Sequence, residues 1–320
     1  MPQKLHMIIP GAVLPQGAGE APSPSTPVLP ALPRLRALLA AMDPTTRIEC
    51  TEDSPSTPCE LALAEANALP GGPGHIPWAA FETGTVGLPC AFLKLCHLQV
   101  GADHILLLPP EDLGVDAATS GVLMAAMAPY FLEDGITLQP LVAVPGTWLA
   151  TGEPFRNLRT VSTAQLAGRR VTRAMLESAG GSAAVLRRLQ NEMQMLLYIH
   201  CANEARQQRS LLPINSFWVT GAGVLNTATP AVPHVQVERR LHAAALRSDA
   251  AAHAKAWQEV DADACARLLA VLRAGGDARL TLCSEQAAQS FAPARAGVWR
   301  RLKSALGLQP PFNLRKQLLI

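Results

Sequence analysis

Residues 91–111, AFLKLCHLQVGADHILLLPPE, read as two strands folded over Gly101-Ala102. Glycine at the first central position of a two-residue turn takes positive φ without strain, which suits a type II′ hairpin. With that turn Gln99 pairs with His104, and His97 lies diagonally on the same face, while Cys96 and Asp103 point the other way. The next segment is helical over Asp116–Leu132, with Asp116 as N-cap and Gly135 just past the end. Pro129 is expected to kink or shorten it. GITLQPLVAV (135–144) returns as a strand, and Trp148 follows. Two strands, a helix and another strand make an antiparallel α/β layer in which one helix covers a sheet.

Working outward, residues 5–9 form a short first strand, and the Pro-, Gly- and Ser-rich stretch 14–33 is a long surface loop. Helices are expected over 34–42 and 59–69. The second half is more helical. Its longest candidate, Ser182–Gln208, carries Leu186, Leu189, Met193, Leu196 and Leu197 at spacings of three and four. A strand (214–223), a loop (226–235) and a helical stretch (238–274) broken near Val260-Asp261 follow, then a strand at 278–284 and a final amphipathic helix at 296–308. The fold class is therefore α/β with α+β character: a mixed sheet with an antiparallel hairpin, covered by helices. Two portions are expected, an α/β portion over 1–155 and a helix-rich portion over 156–320.

At 320 residues with 49% hydrophobic residues, the chain can bury a full core. A net charge of +2 is too small for a dedicated nucleic-acid binder. Arg295, Arg300, Arg301, Lys303, Arg315 and Lys316 make the C-terminal end basic, but no aromatic platform interleaves them. Seven scattered cysteines without a CxxC pair argue against a disulfide framework and a structural zinc site. The first residues make a poor signal peptide, and no apolar run is long enough to span a membrane. A cytoplasmic setting follows.

On the long helix the leucine stripe gives way to His200, Asn203 and Arg206, and the helix leads through Pro213 and Asn215 to a strand ending in Gly221-Ala222-Gly223. Two readings are open. The helix emerges from the core and its polar groups serve its last carbonyls, or the imidazole, amides and guanidinium line an anion pocket. In the second reading Arg206 supplies charge, His200, Asn203 and Asn215 orient a ligand, and Gly221 and Gly223 let the backbone approach it. Trp218 belongs to the core. His97 and His104 lack a third ligand and make no metal site. Cys201 beside His200 makes no nucleophile–base pair, because adjacent helix residues diverge.

Residues 191–223, NEMQMLLYIHCANEARQQRSLLPINSFWVTGAG, resemble the signature of the bacterial RpfE-type regulatory proteins, a cofactor-independent phosphoglycerate mutase-like family. Asn191, Glu192, Gln194, Met195, His200, Asn203, Arg206, Pro213, Asn215, Ser216, Trp218, Gly221 and Gly223 fall on it. Segments 97–113, 134–140 and 147–150 also resemble that family. A looser resemblance to the archaeal-type phosphoglycerate mutases covers only the signature, where Cys201 and Ala202 replace the usual proline and hydrophobic residue. The mutase resemblance implies a serine nucleophile beside two divalent ions, an Asp-Gly after the first strand and an Asp-His-Gly near the end. Here the first strand runs into IIPGAVLPQGAGE (8–20), which has no aspartate, and no later histidine stands in an Asp-His-Gly. Asp249, Asp261, Asp263 and Asp277 read as solvated helix faces or turns. The expectation is a non-catalytic regulatory protein without metal or cofactor, binding a small phosphorylated or otherwise anionic metabolite or a protein partner. Its alternatives are an active metal-dependent mutase or phosphatase and a purely structural interaction protein.

Overall fold

The computed structural model describes residues 3–15, 30–100, 105–166 and 183–294. Two units interleave along the chain. One takes Met1–Glu52, Thr57–Asn67 and Ala231–Ile320, the other Asp53–Ser56 and Ala68–Pro230. The division expected at residues 155 and 156 thus falls inside the second unit. The physical reason lies in strand pairing, because the chain after residue 230 returns to the first strand.

In the first unit β1 (Lys4–Ile9) sits between β8 (Val235–Val237) and β9 (Asp277–Cys283), parallel to both. β10 (Ala287–Pro293) and β2 (Met42–Glu49) continue the sheet antiparallel, in the order β2-β10-β9-β1-β8. Alternation along β1 separates two faces. Leu5, Met7 and Ile9 join Leu280 and Leu282 in a core closed by Leu35 and Leu38 of α1 (Pro33–Ala41), Trp257 of α7 (Ala250–Val260) and Leu268 of α8 (Ala266–Arg273). On the opposite face Ile8, Cys283 and Ala288 pack on Ala62 of α2 (Pro58–Ala66). The break expected near Val260-Asp261 is a π-helical turn over Asp261–Cys265 joining α7 to α8. Asp261 is buried there rather than solvated. Its carboxylate accepts from the Leu35 amide at 2.7 Å and caps α1, whose own N-cap residue, Leu32, makes no side-chain cap bond.

The second unit is an antiparallel sheet in which β3 (Cys90–Val100) pairs along its first half with both β6 (Thr147–Thr151) and β7 (Ser216–Gly223). β5 (Thr137–Pro140) extends the sheet beyond β6. The second half of β3 pairs with β4 (Ile105–Leu108). The hairpin exists, but its register differs from the expected one. Val100 pairs with Ile105 and Gln99 with Leu106, so four residues rather than two separate the strands. A shift of two leaves Leu106, Leu107 and Leu108 on the faces expected of them. Gly101-Ala102, Asp103 and His104 lie outside the described residues, as does the basic C-terminal segment.

α4 (Ala117–Glu133) is capped by Asp116, which accepts from the Thr119 amide at 2.7 Å, and it runs through Pro129 without shortening. Met127 and Phe131 of α4 meet Leu189, Met193 and Leu197 of α5 (Ala183–Tyr198) over Trp148 and Phe217. α3 (Trp78–Thr83) covers the other face through Ala79 and Ala80. Among the described residues no helix is long and apolar enough to cross a membrane, and no disulfide links the seven cysteines.

Candidate functional site

The long helix expected over Ser182–Gln208 is two helices. α5 stops at Tyr198, and α6 (Cys201–Gln208) starts anew with His200 as its N-cap. The His200 backbone is extended, and its Nδ1 accepts from the Ala202 amide at 3.1 Å. A histidine read as a ligand on a continuous stripe therefore occupies the joint between helices.

Asn203 and Arg206 do stay on the inward face, 4% and 3% exposed, but what they meet is main chain. The Asn203 Nδ2 donates to the carbonyls of Leu197 and Ile214, both at 2.7 Å, and its Oδ1 accepts from the Ile214 amide at 2.8 Å. Three of the four bonds this amide can make are made, one to the end of α5 and two to the α6–β7 connection. Arg206 donates through Nε to Leu212 O at 2.9 Å and through a terminal nitrogen to Leu113 O at 2.7 Å. Leu113 ends the short helix Pro110–Leu113, so there the guanidinium serves a carbonyl that lacks an intrahelical partner. Burial lowers the Arg206 pKa, against the pull of Asp116.

Asn215 acts on the sheet. Its side chain accepts from the Leu98 amide at 2.7 Å and donates to Leu98 O at 2.9 Å, taking the place of a strand residue one step beyond the β3–β7 ladder. Gly221 and Gly223 lie at the far end of β7, roughly 20 Å from Asn215 along an extended strand. There the backbone approaches α3, not open space. A Cβ on Gly221 would stand 2.9 Å from the Trp78 Cβ, and one on Gly223 would stand 2.9 Å from the Pro77 Cβ. Trp218 is buried, its Nε1 donating to Val161 O at 2.8 Å. His97 bonds the Pro213 carbonyl through Nδ1 at 2.8 Å. The six residues expected to share one pocket are thus strung along a seam and a strand, each matched to a neighbouring chain segment.

After β1, where the resemblance would place a mutase-like site, residues 10–12 pack inward. Pro10 and Ala12 are buried; Gly11 O bonds His253 Nε2 at 2.7 Å and Ala12 O accepts from Trp257 Nε1 at 3.2 Å. The nearby carboxylates are held by arginines: Glu238 accepts from Arg240 Nε at 2.8 Å, and Asp263 accepts from Arg240 at 2.7 Å and pairs with Arg267 at 3.2 Å. The bond from Arg240 holds the Glu238 carboxyl below its ordinary range. A two-ion centre needs several carboxylates and histidines free to ligate, and the residues here do not fit one. Among the described residues no group of three or more His, Cys, Asp or Glu stands together in a way that could hold a metal.

Sequence reasoning missed a polar recess on the α2 face of the first unit's sheet. α2 covers the Ile8 end of β1 and leaves the His6 end beside a cavity of about 390 Å³. His6 Nε2 lies 2.8 Å from Thr281 Oγ1, which lies 2.8 Å from Ser290 Oγ. The legible signal was polar residues at alternate positions in and beside two expected strands, Lys4 and His6 on one and Asp277, Arg279 and Thr281 on the other. Burial, followed by Arg279 and His234, holds the His6 pKa down at about 4, with Asp277 opposing.

That shift has a sign. An unfolded chain takes up a proton at His6 near pH 6.5, while the folded chain resists until about 4. Stability is therefore lost as pH falls through this window, and His253, also held low by burial, adds in the same direction. We expect a loss of about 1–2 kcal/mol from His6 between pH 7 and 4, discounted for solvent screening of a partly exposed ring. Urea midpoints at both pH values check it, and the difference should shrink in His6→Gln. An unchanged difference would reject His6 as the group responsible.

No family model matches the chain, and no curated protein is similar enough to match. Among solved structures the chain is similar to the cofactor-independent phosphoglycerate mutase from Thermoplasma acidophilum, with TM-score 0.36 and 13% identity over 92% of this chain and 91% of that one. It is also similar to the PH0037 protein from Pyrococcus horikoshii, with TM-score 0.38 and 12% identity over 91% of this chain and 88% of the other.

Proposed function

We propose that the protein is a cytoplasmic, phosphoglycerate mutase-like regulatory protein that works by binding an anionic metabolite or a protein partner and not by phosphoryl transfer. The observation that carries this reading is the use made of Arg206. The cation that the signature offers for a phosphate is buried and donates to two main-chain carbonyls, Leu113 O and Leu212 O. A guanidinium so engaged must break both bonds to reach a ligand, leaving the buried Leu113 carbonyl unmatched and handing that of Leu212, an exposed residue, to water. The pairing of Glu238 and Asp263 with Arg240 and Arg267 supports the same reading, since phosphoryl transfer needs ions placed to carry the developing charge.

The test is a turnover assay on purified protein with 3-phosphoglycerate and manganese. The expected result is no interconversion of the 2- and 3-phosphoglycerates above a protein-free control. Turnover that saturates with substrate and depends on manganese would establish the metal-dependent mutase instead.

A further inference from the structure

We propose that the recess beside His6 on the α2 face of the first unit's sheet binds the phosphate group of a small phosphorylated metabolite. It lies at the N-terminal end of β1, opposite the end where the chain turns at Pro10. The inference names a place and a ligand class for the binding reading above, and rests on it.

Three observations converge. The first is composition. Lys4, His6, His234 and Arg279 line the recess against only two carboxylates, Glu65 and Asp277. The Arg279–Asp277 pair is loose at 3.6 Å with both partners well exposed, and Lys4 has no carboxylate partner among the described residues. Two cationic side chains are thus available to an incoming anion, whereas Arg206, Arg240 and Arg267 are committed. The second is geometry. Parallel registration sets His6 beside Arg279 and Lys4 beside Asp277, so these groups emerge side by side on one face. Tetrahedral phosphate takes several donors at once, and Thr45, Thr46 and Ser290 add hydroxyls around the same space. The third is fit. A volume of about 390 Å³ lies in the range of small-molecule sites and exceeds what a bare ion would need.

His6 has a defined part. Its Nε2 is occupied by Thr281, a fully buried hydroxyl that in turn contacts Ser290, so Nδ1 remains for a ligand. The imidazole is neutral at physiological pH because burial and the cations around it disfavour its charge. A phosphate among Lys4 and Arg279 reverses that balance and raises the proton affinity of His6, so binding is coupled to proton uptake as the medium becomes mildly acidic.

Calorimetric titration of the full chain with 3-phosphoglycerate, inorganic phosphate and D-glycerate tests this. Saturable binding of 3-phosphoglycerate is expected, with competition by phosphate and a much weaker response to glycerate. Arg279→Gln and Lys4→Gln each lower the affinity at least about tenfold, while Arg156→Gln on the second unit leaves it unchanged. Both recess cations are exposed, so their replacement leaves the fold intact, and circular dichroism verifies that. Absence of saturable binding by either phosphate probe, equal affinity in the Lys4→Gln/Arg279→Gln double variant, or glycerate binding as tightly as 3-phosphoglycerate each overturns the proposal. The turnover assay fails separately. Manganese-dependent turnover with recess binding intact ends the non-catalytic reading alone, and no binding without turnover ends the recess alone.

Discussion

Asn203→Ala is expected to destabilise the second unit by about 3–5 kcal/mol, the largest effect of any single polar substitution in the signature. The side chain is 4% exposed and forms three bonds, to Leu197 O, Ile214 O and the Ile214 amide. Truncation leaves the Ile214 amide and carbonyl buried without partners, each at a cost of about 1–3 kcal/mol, and leaves Leu197 O with only the His200 amide at 3.3 Å, with some relief from relaxation or an entering water. Against a typical total of 5–15 kcal/mol, that is a large fraction. Urea unfolding followed by tryptophan fluorescence measures it, and hydrogen exchange at the Ile214 amide localises it. Asn203→Asp should be no better, because it keeps the acceptor but sets a carboxylate against two carbonyls. A loss below about 1 kcal/mol in both variants would mean that the α6–β7 connection is held by something else.

Gly221→Ala is the second large effect, at about 3–4 kcal/mol. Two costs act together. Gly221 has φ +65°, which an L-residue adopts only at about 1–2 kcal/mol. Its new Cβ would also meet the Trp78 Cβ at 2.9 Å and the Ala79 amide nitrogen at 3.2 Å, both close to or part of the α3 backbone. Main chain cannot swing aside as the tip of a side chain can, and such overpacking typically costs about 1–3 kcal/mol. Gly84→Ala separates the contributions. Gly84 has φ +69° but nothing within 4 Å of its new Cβ, so it should lose only the conformational share. Equal unfolding midpoints for the two variants would remove the packing argument for glycine in this strand.

Both predictions concern residues that the sequence marked as noteworthy, and in both the reason differs from the expected one. A leucine stripe ending in His200, Asn203 and Arg206 looks the same whether the polar groups meet a ligand or a buried carbonyl. The partner is decided by residues 211–215, which fold back on the seam. The joint at Ile199-His200 was hidden for a related reason, since the residues on both sides favour helix. Glycines at 221 and 223 did signal a close backbone approach, but the approaching chain is Pro77-Trp78.

Local periodicity and turn chemistry determined many of the elements, though not β2, β10 or α3. The alternation around β3, the Asp116 cap, the amphipathic α5 and the helix–sheet layering depend on residues within a turn or two of one another. The fold class could therefore be read without coordinates. Only the tertiary structure decided which distant strands meet: β1 pairs with β9 although the residues that face each other, His6 and Arg279, are far apart in the chain. That pairing interleaves the two units, buries Asp261 against α1 and sets Lys4, His6 and Arg279 around one recess. Parallel pairing across so long a separation leaves no local trace, because its enthalpy comes from partners that no short window of sequence contains.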